Sequence, residues 1–106
     1  MLVKNILGVN SFFMVNKKIV AECGMEAAMF LAILADATDI FDGEWCYQTQ
    51  PTVESLSHGF LTRRRQDAGI RSLLDKGIIE QKNMGIPMKR YFRINKDKLL
   101  QILSEE

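Results

Sequence analysis

The sequence predicts an α+β fold: a three-helix core, a small antiparallel sheet and a C-terminal hairpin. Three observations carry that prediction. Residues 25–39 and 62–76 repeat apolar side chains at helical spacing. Two strand-like segments, 78–82 and 90–94, follow the second helix and are separated by a loop containing Gly85 and Pro87. The chain has 106 residues, of which 47% are hydrophobic and 25% charged, a composition suited to one domain (1–106) with one core, here placed at about 25–95.

Each element has a local reason. The segment NSFFMVN, Asn10 to Asn16, is short, aromatic and bounded by asparagines, which predicts an extended stretch or short strand packed on the domain. MEAAMFLAILADATD, from Met25 to about Asp39, is rich in strong helix formers, with Ala27, Phe30, Leu31, Leu34 and Thr38 on one face and Gly24 as a cap. Asp42-Gly43 signals a turn, and Glu44–Gln48 reads as a short strand of aromatic character. Pro51 suits the first turn of a helix capped by Thr49 or Gln50, running through Val53 and Leu56 to about His58.

After Gly59 and Phe60, Thr62 is a good N-cap for a longer helix that brings in Ile70, Leu73 and Leu74 and ends at Gly77. Ile78–Lys82 and Arg90–Ile94 then form strands, with Phe92 and Ile94 on one face and Tyr91 and Arg93 on the other. Asn83–Lys89 between them is a hairpin loop longer than a two-residue turn. Lys98–Leu103 closes as a short helix docked by some of Leu99, Leu100, Ile102 and Leu103. The order of helix, short strand, short helix, turn, longer helix and hairpin is that of a winged helix-turn-helix, whose second paired helix enters the DNA major groove.

Charge is divided along the chain in a way the net value of +1 hides. Residues 19–59 contain seven acids and no Lys or Arg, whereas residues 60–98 contain eleven Lys or Arg and four acids. The basic part suits an anionic partner, and the acidic part is expected to face away from it. Arg63, Arg64 and Arg65 occupy the first turn of the longer helix, where the helix dipole disfavours cations by of order 1 kcal/mol in total. A bidentate arginine–guanine pair supplies roughly 1–3 kcal/mol of discrimination, so a DNA partner offsets that cost.

The expected DNA-binding residues are Thr62, Arg63, Arg64, Arg65 and Gln66 at the helix start, with Arg71 two turns on. Arg71 is equally suited to a phosphate or to an ion pair with Asp67 or Asp75. Lys82, Lys89 and Arg90 belong to the wing, taken as residues 82–90, which would lie on the DNA backbone or in a minor groove. Tyr91 and Phe92 stand beside basic residues, a pattern that suits base stacking, although Phe92 also fits the core.

The segment LTRRRQDAGIRSLLDKGIIEQKNMGIPMKRYFRIN resembles the recognition helix and wing of winged-helix proteins of bacteriophages, prophages and plasmids. That group includes the N-terminal domains of replication initiators and replisome organisers. LLDKGII and GIPMKRYFRIN carry the resemblance, which spans roughly residues 25–95. It implies double-stranded DNA as partner, contacts from Arg63, Arg64, Arg65, Gln66, Lys89 and Arg90, and a role in replication or transcription control.

Other classes find little support. Cys23 and Cys46 are far from each other and from the single His58, so no zinc spacing arises, and free thiols of a reducing cytoplasm are expected. The acids around Asp42 lack ligands at Thr38 and Ile40 for a calcium loop. No nucleotide or hydrolase signature occurs, so neither catalysis, cofactor nor small-molecule substrate is expected. No signal peptide or membrane-spanning stretch is read. The rival reading is a protein-interaction winged helix, with Phe12, Phe13 and the first helix forming a dimer interface. A homodimer is compatible with both readings, because paired half-sites are common in DNA-bound helix-turn-helix dimers.

Overall fold

Asn16 caps the first helix that contributes a buried residue, Ile19, to the core. Its side chain accepts hydrogen bonds from the backbone nitrogens of Lys18 (2.9 Å) and Ile19 (3.1 Å), capping a helix over Lys17–Cys23. The computed structural model describes residues 2–8, 13–42 and 44–105. Among these the order is α1 (Val3–Leu7), α2 (Lys17–Cys23), α3 (Met25–Ile40), β1 (Cys46–Tyr47), α4 (Gln50–Leu56), α5 (Arg63–Asp75), β2 (Ile79–Met84), β3 (Lys89–Ile94) and α6 (Lys96–Ser104). The described residues thus form an α+β arrangement of six helices and one antiparallel sheet of order β1-β3-β2.

Two helices were not expected from the sequence. α1 buries none of its residues, so no apolar periodicity announces it. α2 is short and contains β-branched Ile19 and Val20; its one sequence signal is the Asn16 cap. The extended stretch expected at 10–16 is not a strand where it is described: residues 13–16 are irregular and lead into the α2 cap, while Asn10, Ser11 and Phe12 lie outside the described residues. Gly43 of the expected turn also lies outside them, and the strand expected over 44–48 is reduced to Cys46–Tyr47.

The core forms where α3 meets α5 and the sheet. Ala27, Phe30, Leu31, Leu34 and Thr38 are all buried, and the Thr38 hydroxyl donates to the Leu34 carbonyl at 2.8 Å, so its burial leaves no free polar group. Phe30 meets Phe92 of β3 edge-on, with ring centroids 5.3 Å apart, and both rings are almost wholly buried. Each contributes roughly 1.5–3 kcal/mol of burial. α6, capped by Asn95, docks through Ile102 and Leu99, while Leu100 is exposed and Leu103 only partly covered. The hairpin is tighter than expected: Met84 pairs with Lys89, so the strands run into the predicted loop and only residues 85–88 turn.

Both helices flanking the 57–62 connection end in the same way. After α5, Gly77 adopts φ 73°, the Ile78 nitrogen donates to the Leu73 carbonyl (3.0 Å) and the Gly77 nitrogen to that of Leu74 (3.0 Å). Leu73 and Ile78, the apolar pair that accompanies this motif, are fully buried. After α4 the equivalent left-handed position is His58, at φ 54°, with the Gly59 nitrogen donating to Glu54 and the His58 nitrogen to Ser55. A side chain there is strained where glycine is not. His58→Gly is therefore expected to raise stability by about 0.5–1 kcal/mol, measured as a higher urea midpoint with unchanged slope. A lower midpoint would mean that the imidazole makes a stabilising contact that outweighs the strain.

Candidate nucleic-acid interface

Thr62 caps α5 by accepting from the Arg65 backbone nitrogen, which starts the helix with Arg63, Arg64 and Arg65 in its first turn. All three are exposed, but they are not equivalent. Arg65 folds back: its guanidinium donates to the Phe60 carbonyl at 2.9 Å and stacks over the Phe60 ring, 4.8 Å from its centroid. Arg63 and Arg64 make no side-chain hydrogen bond or ion pair among the described residues. They are the freer charges of the cluster.

Gln66 corrects the sequence expectation. It is fully buried and reaches no groove. Its amide nitrogen donates to the Gln50 carbonyl (2.9 Å) and the Leu61 carbonyl (2.8 Å), joining the start of α4, the connection and α5. The helical period held the signal, since position 66 precedes buried Ile70 and Leu73 by four and seven residues. Ser57 adds a second clamp: its hydroxyl donates to the Glu54 carbonyl and accepts from the Leu61 nitrogen, both at 2.8 Å. α4 and α5 are thereby fixed as one unit.

The outer face of α5 carries Arg64, Asp67, Ala68, Arg71 and Asp75, all exposed. Arg71 forms no ion pair with Asp67 or Asp75 among the described residues, although both are near in sequence. It lines a groove of about 290 Å³ with Asp67, Ile70, Leu74, Asp75, Gln81 and Arg90, so Arg90 of β3 and Arg71 of α5 flank one trough. A second cleft, of about 580 Å³, lies between α4 and the start of α5 and brings Arg63 beside Glu54 and His58. Glu54 is therefore an exception to the expectation that the acids face away from the basic surface.

The hairpin divides its own cations. Phe92 is buried, so strand alternation places Arg90 on the core side of β3, and Lys89, Tyr91 and Arg93 on the other. Lys82, opposite Tyr91, shares that outer side. Thus Lys82 and Lys89 do not line the α5 groove with Arg71 and Arg90. The Lys82 ammonium lies 4.3 Å from the Trp45 ring centroid, and that of Lys89 lies 5.2 Å from Tyr47. Trp45 and Tyr47 were not among the expected site residues; the aromatic character of the short strand expected over 44–48 was their only signal. The turn between the strands ends in exposed Ile86 and Met88, an apolar tip to a basic hairpin.

No group of three or more His, Cys, Asp or Glu side chains among the described residues could hold a metal ion, and Cys23 and Cys46 are unlinked. No helix of the described residues is long and apolar enough to cross a membrane. No protein-family model, curated protein or solved structure matches the chain.

Proposed function

We propose that the chain is a DNA-binding winged helix-turn-helix protein, with α4 and α5 as the helix pair, α5 in the major groove and the β2–β3 hairpin as the wing. The observation that carries this reading is the pair Arg63 and Arg64, exposed and unpartnered among the described residues, at the N-terminus of a helix clamped by Gln66 and Ser57. Cations cost stability at that end of a helix and gain it back only against an anion. A fixed helix start is also the part of a recognition helix that meets base edges. Arg71 and Arg90, across the adjoining groove, supply phosphate contacts that set register.

The likeness of the α5–hairpin segment to phage, prophage and plasmid winged-helix proteins adds the setting, control of replication or transcription. A second copy fits the same reading. α1 leaves Val3, Ile6 and Leu7 exposed, and two copies would match paired half-sites.

The test is fluorescence anisotropy on mixed-sequence duplex DNA across a salt series. The native protein is expected to bind with log K falling linearly in log salt, by about 0.9 per phosphate neutralised. Changing Arg63 and Arg64 together to Ala is expected to reduce that slope by about 2 and affinity by roughly 10- to 100-fold. Arg65→Ala, whose guanidinium is already committed to Phe60, is expected to lose less affinity. A native protein that ignores duplex DNA at low salt overturns the reading and leaves the basic surface to an acidic protein partner.

A further inference from the structure

The face of the sheet turned away from α3 and α5 carries a constellation that duplex binding by α5 leaves unused. The helices packed against the sheet, α3 and α5, cover the side of Phe92 and Ile79. On the opposite side three aromatic rings gather. Tyr47 and Tyr91, directly paired across β1 and β3, lie 5.6 Å apart with their planes tilted by 39°. Trp45, one residue before β1, reaches across the strands to Arg93 (4.5 Å from its ring centroid) and Lys82 (4.3 Å).

Cations and rings alternate along and across this face. β3 alone presents Lys89, Tyr91 and Arg93 at every second residue, and Lys82 of β2 lies level with Tyr91. Three cations stand against one acid, Glu80, whose carboxylate meets the Arg93 guanidinium at 3.1 Å. Tyr47 remains 45% exposed, a large ring left to water beside two others. Such a face presents π surfaces for flat apolar rings and positive charge for the anionic links between them.

We propose that this outer face binds single-stranded nucleic acid. Unpaired bases stack on Trp45, Tyr47 and Tyr91, while Lys82 and Lys89 meet the phosphates and Arg93, held by Glu80, supports the Trp45 ring. A duplex cannot use the rings in this way, because its bases are already stacked on each other. The site is separate from Arg63 and Arg64 and does not depend on their reading duplex DNA.

Trp45 is the chain's single tryptophan and reports on the site directly. Titration with an oligothymidylate of about 12 nucleotides is expected to quench its fluorescence saturably, within the span of known single-strand sites. Tyr47→Ala and Tyr91→Ala, with circular dichroism confirming the fold, are expected to weaken binding by about 10- to 100-fold each. Should Tyr91→Ala unfold the sheet, exposed Lys89→Glu takes its place and is expected to weaken binding and flatten the salt slope. The variant with Arg63 and Arg64 changed to Ala is expected to keep oligothymidylate binding while losing duplex, and Tyr47→Ala the reverse. Three results overturn the proposal: no quenching by oligothymidylate, equal quenching by polyglutamate, which marks a site for acidic protein instead, or loss of single-strand binding in the arginine variant.

Discussion

Gly69→Ala is expected to destabilise the protein by about 1–3 kcal/mol, the usual cost of overpacking, and to lower the melting temperature by roughly 4–14 °C for a domain of this size. On helix propensity alone the same change should stabilise by about 1 kcal/mol, so the sign of the result decides which effect wins. A methyl group on Gly69 would lie 2.9 Å from the Ala27 nitrogen and from the Glu26 carbonyl carbon and oxygen. These are backbone atoms of α3, and no side-chain rotation relieves the clash. α3 and α5 must move apart, loosening the packing of Phe30, Ile70 and Leu73 that orients α5. Ala68→Gly, one residue earlier and exposed, is the control: it lacks the steric term and is expected to cost about 1 kcal/mol. Thermal unfolding of the two variants measures both. A stabilised Gly69→Ala protein would mean that the helices are not in backbone contact.

Gln66→Ala is expected to cost about 2–4 kcal/mol, because it strips buried donors from the Gln50 and Leu61 carbonyls and opens a cavity where α4, the connection and α5 meet. Gln66→Met, which keeps length and apolar volume, is expected to lose less, and Gln66→Glu at least as much as Ala, since it faces two carbonyl oxygens with an acceptor. The other amide atom, Oε1, has no partner among the described residues, so the site already carries one unpaired polar atom. Urea denaturation reads these differences as shifts in midpoint. Anisotropy on duplex DNA, at protein concentrations where each variant is folded, separates this role from the one the sequence suggested. An unchanged midpoint with weakened binding would place Gln66 at the DNA, and a lowered midpoint with retained binding places it in the scaffold.

Those two residues mark how far the sequence could be read. Helix α3 and its buried face, the Thr62 cap, the Gly77 stop and the two strands of the hairpin were legible, because each rests on local chemistry: 3.6-residue periodicity, a capping hydroxyl, a glycine at positive φ, alternation by two. The same alternation contained the split between Arg90 and the pair Lys82 and Lys89, and the same periodicity contained the burial of Gln66. Charge drew the eye to the surface where the period pointed inward.

By itself, then, the sequence determined the order of the main elements, their caps and the gathering of arginines at one helix start, all of which act within a few residues. Only the tertiary structure decided which of those arginines is free. Arg65 is committed by the position of Phe60, and Arg71 and Arg90 come together because the sheet packs on α5 through β2, whose Gln81 lines the same groove. It also brought Trp45 over Lys82, 37 positions away in the chain. The physical reason is that side-chain direction is a local property, whereas proximity between elements is set by how their apolar faces close on one core.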